Sequence, residues 1–335
     1  MKLVESSKRF PDEEACEKYL YEERRVARDV VRCKCGSTHQ YWDKSGKCWR
    51  CAKCGHVTTL TAGTVMHGSK LSLLYWFTAI PLMTATKKTF SSMETQCQLG
   101  HKRYQPIWEM MHKLLSVMGA RDDRYKLQDT AELDEGFFTY KDEWQAPSTP
   151  DSKEGHSKGK DHKKSSLGSE IKAKVEVMVE SVETEPKKKG QKTGKARHIK
   201  MKVMKHLTST TINDIATKSI DPSAAIIDDS YPSHSKPNKV TTNVKKEVVK
   251  PKDAPKVLPW VHTAIANAKS LFMDMYHGIR EEYLQEYLNE SCYKFNRKFF
   301  GDRIFDRLVI AAISYRYRPS FEHRLYGTKV TCKCG

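Results

Sequence analysis

The chain has 335 residues, enough for about two or three domains and at least one sizeable core, with 59 Lys and Arg against 41 Asp and Glu. A net charge of +18 points to a polyanionic partner, most simply nucleic acid, and leaves the fold open. A membrane surface is the competing polyanion, but no run of about 18 apolar residues, no signal peptide and no lipidation motif is found, so a reducing cytoplasm is expected.

Residues Asp12–Arg28 read as a helix with Asp12 as cap and Ala15, Tyr19 and Val26 as its apolar stripe. Five of the ten cysteines then fall between Cys33 and Cys54. Cys33-Lys-Cys35-Gly36 and Cys51-Ala-Lys-Cys54-Gly55, about 15 residues apart, have the pattern of a zinc ribbon with four thiolates around one structural zinc. The expected ligands are Cys33, Cys35, Cys51 and Cys54. The first knuckle is one residue short, and Cys48–Cys51 offers the same spacing as Cys51–Cys54, so Cys48 competes for a place. Four thiolates leave no open position for chemistry, which makes the role structural.

Leu71–Met83, with Leu74, Trp76, Phe77 and Ile80, reads as a core helix. Ser91–Leu99, a break at Gly100 and His101–Met118 make a helix–turn–helix candidate. Its predicted inner stripe is Met93, Cys97, Ile107, Met110, Met111, Leu114 and Leu115. Lys102 and Arg103 at the start of the second helix are candidate phosphate contacts, unless the pair is an ordinary helical hairpin.

Thr130–Tyr140 reads as a strand in which alternation puts Glu132 and Asp134 on one face and Leu133 on the other. Desolvating adjacent carboxylates costs several kcal/mol unless they are paired or metal-bound. A solvated edge strand is the plain alternative. A second acidic pair, Asp228-Asp229, ends the apolar run Ala224–Ile227, and two such strand ends are what a two-cation site for phosphodiester chemistry needs.

Between them, Asp142–Glu170 is Lys-, Ser- and Gly-rich without periodicity and reads as a basic insertion able to track a phosphate backbone. Ile171–Val182 and Ile199–Leu207 alternate as strands on either side of a Lys-rich turn, and Ile212–Lys218 is a short helix. Three strands, a helix and another strand, acidic on the first and last, is the order of a ribonuclease H-like α/β fold. Pro232–Pro259 reads as a loop. In the helix Trp260–Tyr276, His262 and Lys269 lie two turns apart on one face, while Asn267 faces elsewhere. Arg280–Phe300 is an amphipathic helix expected to pack on the sheet, and Cys332 and Cys334 have no assigned role.

Several of these blocks together resemble one family. They are Phe10–Cys16, the cysteine knuckles, Thr61–Val65 before Trp76-Phe77, Glu132-Leu133-Asp134-Glu135, and Tyr283–Glu290 running to Tyr293-Lys294-Phe295-Asn296-Arg297. The chain is similar to bacterial insertion-sequence transposases with an N-terminal zinc ribbon and an ISXO2-like DDE-type catalytic domain. The resemblance implies four segments: an N-terminal helix (1–30), a zinc ribbon (31–60), a helical DNA-binding segment (61–125) and a ribonuclease H-like domain (126–335) with basic insertions at 141–170 and 185–198.

Carried over position by position, the first catalytic carboxylate falls on Asp134 and the second on Asp228 or Asp229. The third position falls on His262 when Lys269 is taken as the Lys seven residues later. The resemblance further implies Mg2+ or Mn2+ at these residues and double-stranded DNA, both transposon ends and target, as partner. It also implies a homo-oligomer assembled on DNA and a location at the bacterial nucleoid. A non-catalytic zinc-ribbon regulator derived from a transposase is the alternative.

Overall fold

The computed structural model describes residues 3–26, 33–85, 89–140, 172–182, 194–228, 244–246, 258–275, 279–315, 324–325 and 328–329. The chain divides into two units, Met1–Ala120 with Phe300–Gly335, and Arg121–Phe299. Among the described residues, no helix is long and apolar enough to cross a membrane.

The first unit opens with α1 (Leu3–Arg9) and α2 (Glu13–Val26), followed by the antiparallel ribbon β1 (Gln40–Asp43), β2 (Cys48–Cys51) and β3 (Val57–Thr59). Next come α3 (Leu73–Ala85), α4 (Ser92–Leu99) and α5 (Tyr104–Asp123). Helix α3 is apolar all round, and its Trp76, Phe77, Ile80 and Met83 are buried, as a helix at the centre of a core should be. Phe10 packs edge-on against Phe77 at 4.8 Å and beside Tyr19 at 5.2 Å. Glu13 of α2 accepts from the backbone N–H groups of Leu73 and Leu74, at 2.7 and 2.8 Å, and so caps α3 from about 60 residues away.

Two predicted stripes are corrected here. Helix α2 buries Cys16, Leu20 and Arg24, while Val26 is 74% exposed. Arg24 is buried because its guanidinium donates to the carbonyls of Thr59, Leu60 and Ala62, which satisfies the charge inside the fold. Helix α4 buries Ser92 and Thr95 rather than Met93, which is 65% exposed, or Cys97, also exposed. The predicted break at Gly100 is a left-handed C-cap with φ 62°, and a capping box of Ser91 and Glu94 starts the helix. The stripe of α5 is as expected: Ile107, Met110, Met111, Leu114 and Leu115 are all buried.

The second unit is built on a sheet. Its strands are β4 (Thr130–Thr139), β5 (Lys172–Val182), β6 (Lys195–Met204), β7 (Ala225–Asp228) and β8 (Val244–Lys246), in the order β6-β5-β4-β7-β8. Strands β4, β5 and β6 run antiparallel; β7 is parallel to β4, and β8 to β7. Helix α6 (Ser209–Ser219) makes the crossover to β7, and α7 (Pro259–Met275) and α8 (Glu281–Arg297) follow. Strand β8 lies inside the segment read as a loop, and β6 begins earlier than expected, within the Lys-rich turn.

Alternation sorts the sheet into two faces. Val175, Val177 and Val179 of β5 join Phe138 of β4 and Val261, Ile265, Leu284 and Leu288 of α7 and α8 in one core. Ala131, Leu133, Met178 and Ile226 form the other core with Ala216 of α6. Strand β5 is thus covered on both faces, and its Glu180 is buried completely. The Glu180 carboxylate accepts from the Tyr125 hydroxyl at 2.8 Å and the Gln128 N–H at 3.2 Å, and His198 Nδ1 lies 3.7 Å away. These donors outweigh the cost of burial and hold its pKa below the ordinary 4.5.

Beyond α8, Lys298–Arg303 is a 3-10 segment and Ile304–Ser314 a further helix. That last helix was expected with the 126–335 segment, but it belongs to the first unit, where Phe305 is 5.5 Å from Phe10 and the Ala312 carbonyl accepts from Val65 N–H.

Candidate functional site

The ribbon brings four sulfurs together. Cys33, Cys35, Cys51 and Cys54 have their Sγ atoms within 4.8 Å of one another, with Cys33–Cys54 at 3.4 Å and Cys35–Cys51 at 3.7 Å. A tetrahedron with about 2.3 Å metal–sulfur bonds has edges of about 3.8 Å, so these four residues fit one zinc. Cys48, the competing ligand, is buried and outside this group. Gly36 and Gly55, at φ 83° and 68°, close the two turns that carry the cysteines.

N–H groups of the second turn, those of Cys54 and Lys53, donate to the Cys51 sulfur and bring its thiol down to about 6. The Cys54 thiol goes the other way, to about 12, although the His56 N–H favours its thiolate, because Cys33 and Cys35 bond to it. Four sulfurs this close do not all ionise without a cation among them.

In the second unit, the acidic strand places its side chains as alternation predicts. Asp134 stands on the face covered by α7, where its Oδ2 is 3.6 Å from His262 Nδ1 and its Oδ1 accepts from Glu135 N–H at 2.8 Å. The two side chains are 15% and 33% exposed, so the pair opens to solvent. Glu132, on the same face, is buried and accepts from the backbone N–H groups of Trp260 and Val261 at 2.9 and 3.0 Å. It satisfies the orphan donors of the first turn of α7 and faces the positive end of that helix.

Gly136, two residues beyond Asp134, lies close under the Phe138 ring of its own strand. A Cβ there would meet the Phe138 ring at 2.9 Å and stand 3.5 Å from Ile265 of α7. It is the two bonds from Glu132 to the start of α7 that hold His262 against Asp134.

Lys269, two turns beyond His262, is half-buried with its Nζ 5.7 Å from the Phe138 ring centroid. Burial lowers its pKa, and Lys172 adds to this, while the Asp134 charge opposes them. In the parallel pairing of β4 with β7, Asp228 stands in register with Leu133. Asp229, the basic insertion at 141–170, Cys332 and Cys334 lie outside the described residues. So does the basic insertion at 185–198 up to 193.

Asn267 does not join Asp134; it lines a separate cavity with Trp260, Thr263 and Lys195. Lys102 and Arg103 are exposed directly before α5, where Arg103 N–H donates to His101 Nδ1 at 3.2 Å. Sequence reasoning missed the anchoring by Glu132. Its partners are N–H groups 128 and 129 residues away, and no local signal marks them.

Compared with known families, residues 126–296, just over half of the chain, match the model of the ISXO2-like transposase domain. No curated protein and no solved structure matches the chain.

Proposed function

The chain belongs to the ISXO2-like transposase family, and on that premise we propose that it binds the terminal inverted repeats of an insertion sequence and cuts and joins DNA at them with divalent cations. The observation that carries this reading is the pairing of Asp134 with His262 on a helix that Glu132 ties to the same strand. Support for a ribonuclease H-like catalytic domain comes from the sheet, with three antiparallel strands, a crossover helix and a parallel strand ending in Asp228 beside the Asp134 strand.

Asp134, His262 and one carboxylate of the Asp228-Asp229 pair would hold the cations. The fit is chemical: a carboxylate and an imidazole, both partly exposed, are donors for Mg2+ or Mn2+, and the imidazole favours the softer Mn2+. Bound there, the cations would activate the attacking oxygen and stabilise the leaving one. Glu132 is committed to two N–H groups and serves as a positioning residue. Lys269 brings an ammonium from a half-buried position to a non-bridging phosphate oxygen.

In the first unit, the zinc ribbon is structural, and Lys102 and Arg103 contact phosphates of the terminal repeats. Assembly on DNA as a homo-oligomer at the nucleoid completes the reading.

The test is cleavage of a labelled transposon-end duplex in Mg2+ and in Mn2+. Asp134→Ala should abolish cleavage and spare end binding, and so should the alanine variant of whichever of Asp228 and Asp229 is the second ligand. His262→Ala should reduce cleavage strongly, and His262→Glu should shift the preference toward Mg2+. If Asn267→Ala stops cleavage and His262→Ala does not, the third position is wrong. If none of these changes cleavage, the site is elsewhere, and if wild type binds the ends but cleaves them in neither metal, the chain is a zinc-ribbon DNA-binding regulator.

A further inference from the structure

Helix α7 has a second face. Trp260, Thr263, Ala264 and Asn267 recur at helical spacing on the side away from His262, and with α8 and the start of β6 they enclose a cavity of about 140 Å³. Trp260, Ala264 and Phe295 give it apolar walls, while the Asn267 carboxamide and the Ser291 hydroxyl bring neutral hydrogen-bonding groups into the lining.

Two exposed ammoniums complete the rim. Lys298 Nζ lies 3.7 Å from the Phe295 ring centroid and 5.0 Å from that of Phe299, and Lys195 Nζ lies 4.3 Å from the same Phe299. Among the described residues, neither ammonium forms an ion pair with a carboxylate. Burial, and then Lys195, lower the pKa of Lys298, so an anion between the two would relieve both.

An aromatic slot of this size takes one planar ring and no duplex, and the paired ammoniums take a phosphate. We infer that the cavity holds a single unpaired nucleotide of a DNA strand, its base against Trp260 and Phe295 and its phosphate between Lys195 and Lys298. The inference rests on the DNA reading above and adds a subsite to it, separate from Asp134. A base enters only when its faces are free of neighbours, so the nucleotide must be out of the stack. A strand fits better than a free mononucleotide because Phe299, 58% exposed, continues the aromatic surface beyond the cavity.

The experiment is fluorescence anisotropy of the full chain with a paired duplex and with the same duplex carrying one extrahelical nucleotide. Wild type should bind the second about tenfold more tightly, the scale of one base stacked on an aromatic side chain. Asn267→Trp, placed on an exposed position so that the fold is kept, should fill the slot, abolish the preference and leave paired-duplex affinity unchanged. Ala264→Phe, checked by its melting temperature, should do the same. Lys195→Gln and Lys298→Gln should each reduce the salt slope for the extrahelical probe by about one.

Retention of the preference in Asn267→Trp overturns the inference, as does competition by a deoxynucleoside monophosphate equal to that of the extrahelical duplex. Wild type that binds paired duplex without any preference overturns the subsite alone. Wild type that binds neither probe overturns the DNA reading with it.

Discussion

The Asn296 carboxamide takes the place of a neighbouring strand along the edge of the sheet, accepting from Ile199 N–H at 2.7 Å and donating to the Ile199 carbonyl at 2.9 Å. Three turns earlier on α8, Gln285 repeats the device, accepting from Val203 N–H at 2.8 Å and donating to the Met201 carbonyl at 3.0 Å. Ile199, Met201 and Val203 are alternate residues of β6, and their outward backbone groups would otherwise stay open to pairing with another chain. Asn296 also donates to Asp122, which binds Arg297 as well. The Tyr-Lys-Phe-Asn-Arg block that carries much of the family resemblance therefore seals a sheet edge.

Asn296→Leu should lower stability by about 2–4 kcal/mol, because it leaves buried backbone groups unpaired and takes from Asp122 one of its two donors. Gln285→Leu should cost about 1–2 kcal/mol, and the two effects should nearly add. Urea denaturation measures both. Size-exclusion chromatography of Asn296→Leu should show association that grows with concentration, and a monodisperse variant of unchanged stability would refute the edge role.

Glu132 separates a positioning role from ligation. Glu132→Gln keeps an oxygen for Trp260 and Val261 N–H and should cost about 0.5–1 kcal/mol through the lost charge at the helix start. Cleavage should persist in this variant, whereas a metal-ligating carboxylate would not tolerate the change. Glu132→Ala should cost about 2–3 kcal/mol and slow cleavage by loosening His262.

Stability should fall on the acid side through Glu180. Its pKa is lower in the folded chain than the ordinary 4.5, so the unfolded chain takes up a proton first and stability drops as pH falls below that value. The contribution is fully present above it. Glu180→Gln should be less stable at neutral pH and show a flatter acid limb in urea midpoints. Parallel acid limbs for the two proteins would place the titration elsewhere.

Zinc removal should report on one unit. Chelation, or Cys51→Ser, should release about one zinc per chain and open the ribbon. The packed rings of Tyr21, Trp42 and Trp49, with Trp42 and Trp49 at 4.5 Å, should then change tryptophan emission. Cys48→Ser should keep its metal, and loss of zinc from that variant would exchange the ligand set.

What was legible in the sequence is what depends on near neighbours. The cysteine spacings marked the four sulfurs that converge, and period-two alternation put Glu132 and Asp134 on one face of β4. Burial on helices was less legible where an apolar side chain had competition. Met93 stays outside because the short α4 turns Thr95 inward, and Arg24 goes inside because three carbonyls wait for it. The three-residue β8 has no periodicity of its own to read and is held by parallel pairing to β7. The cavity beside Asn267 depends on α7, α8 and β6 together, which no single stretch encodes.

Glu13 and Glu132 also bear on the order in which the chain folds. Each closes the first turn of a helix remote in sequence, α3 in one unit and α7 in the other. A first turn is the costly step of helix formation, and here its cap arrives only after a loop of 60 or 128 residues has closed. Helix α7 should therefore consolidate late, after β4 is in the sheet, and His262 meets Asp134 only in a chain that has finished folding.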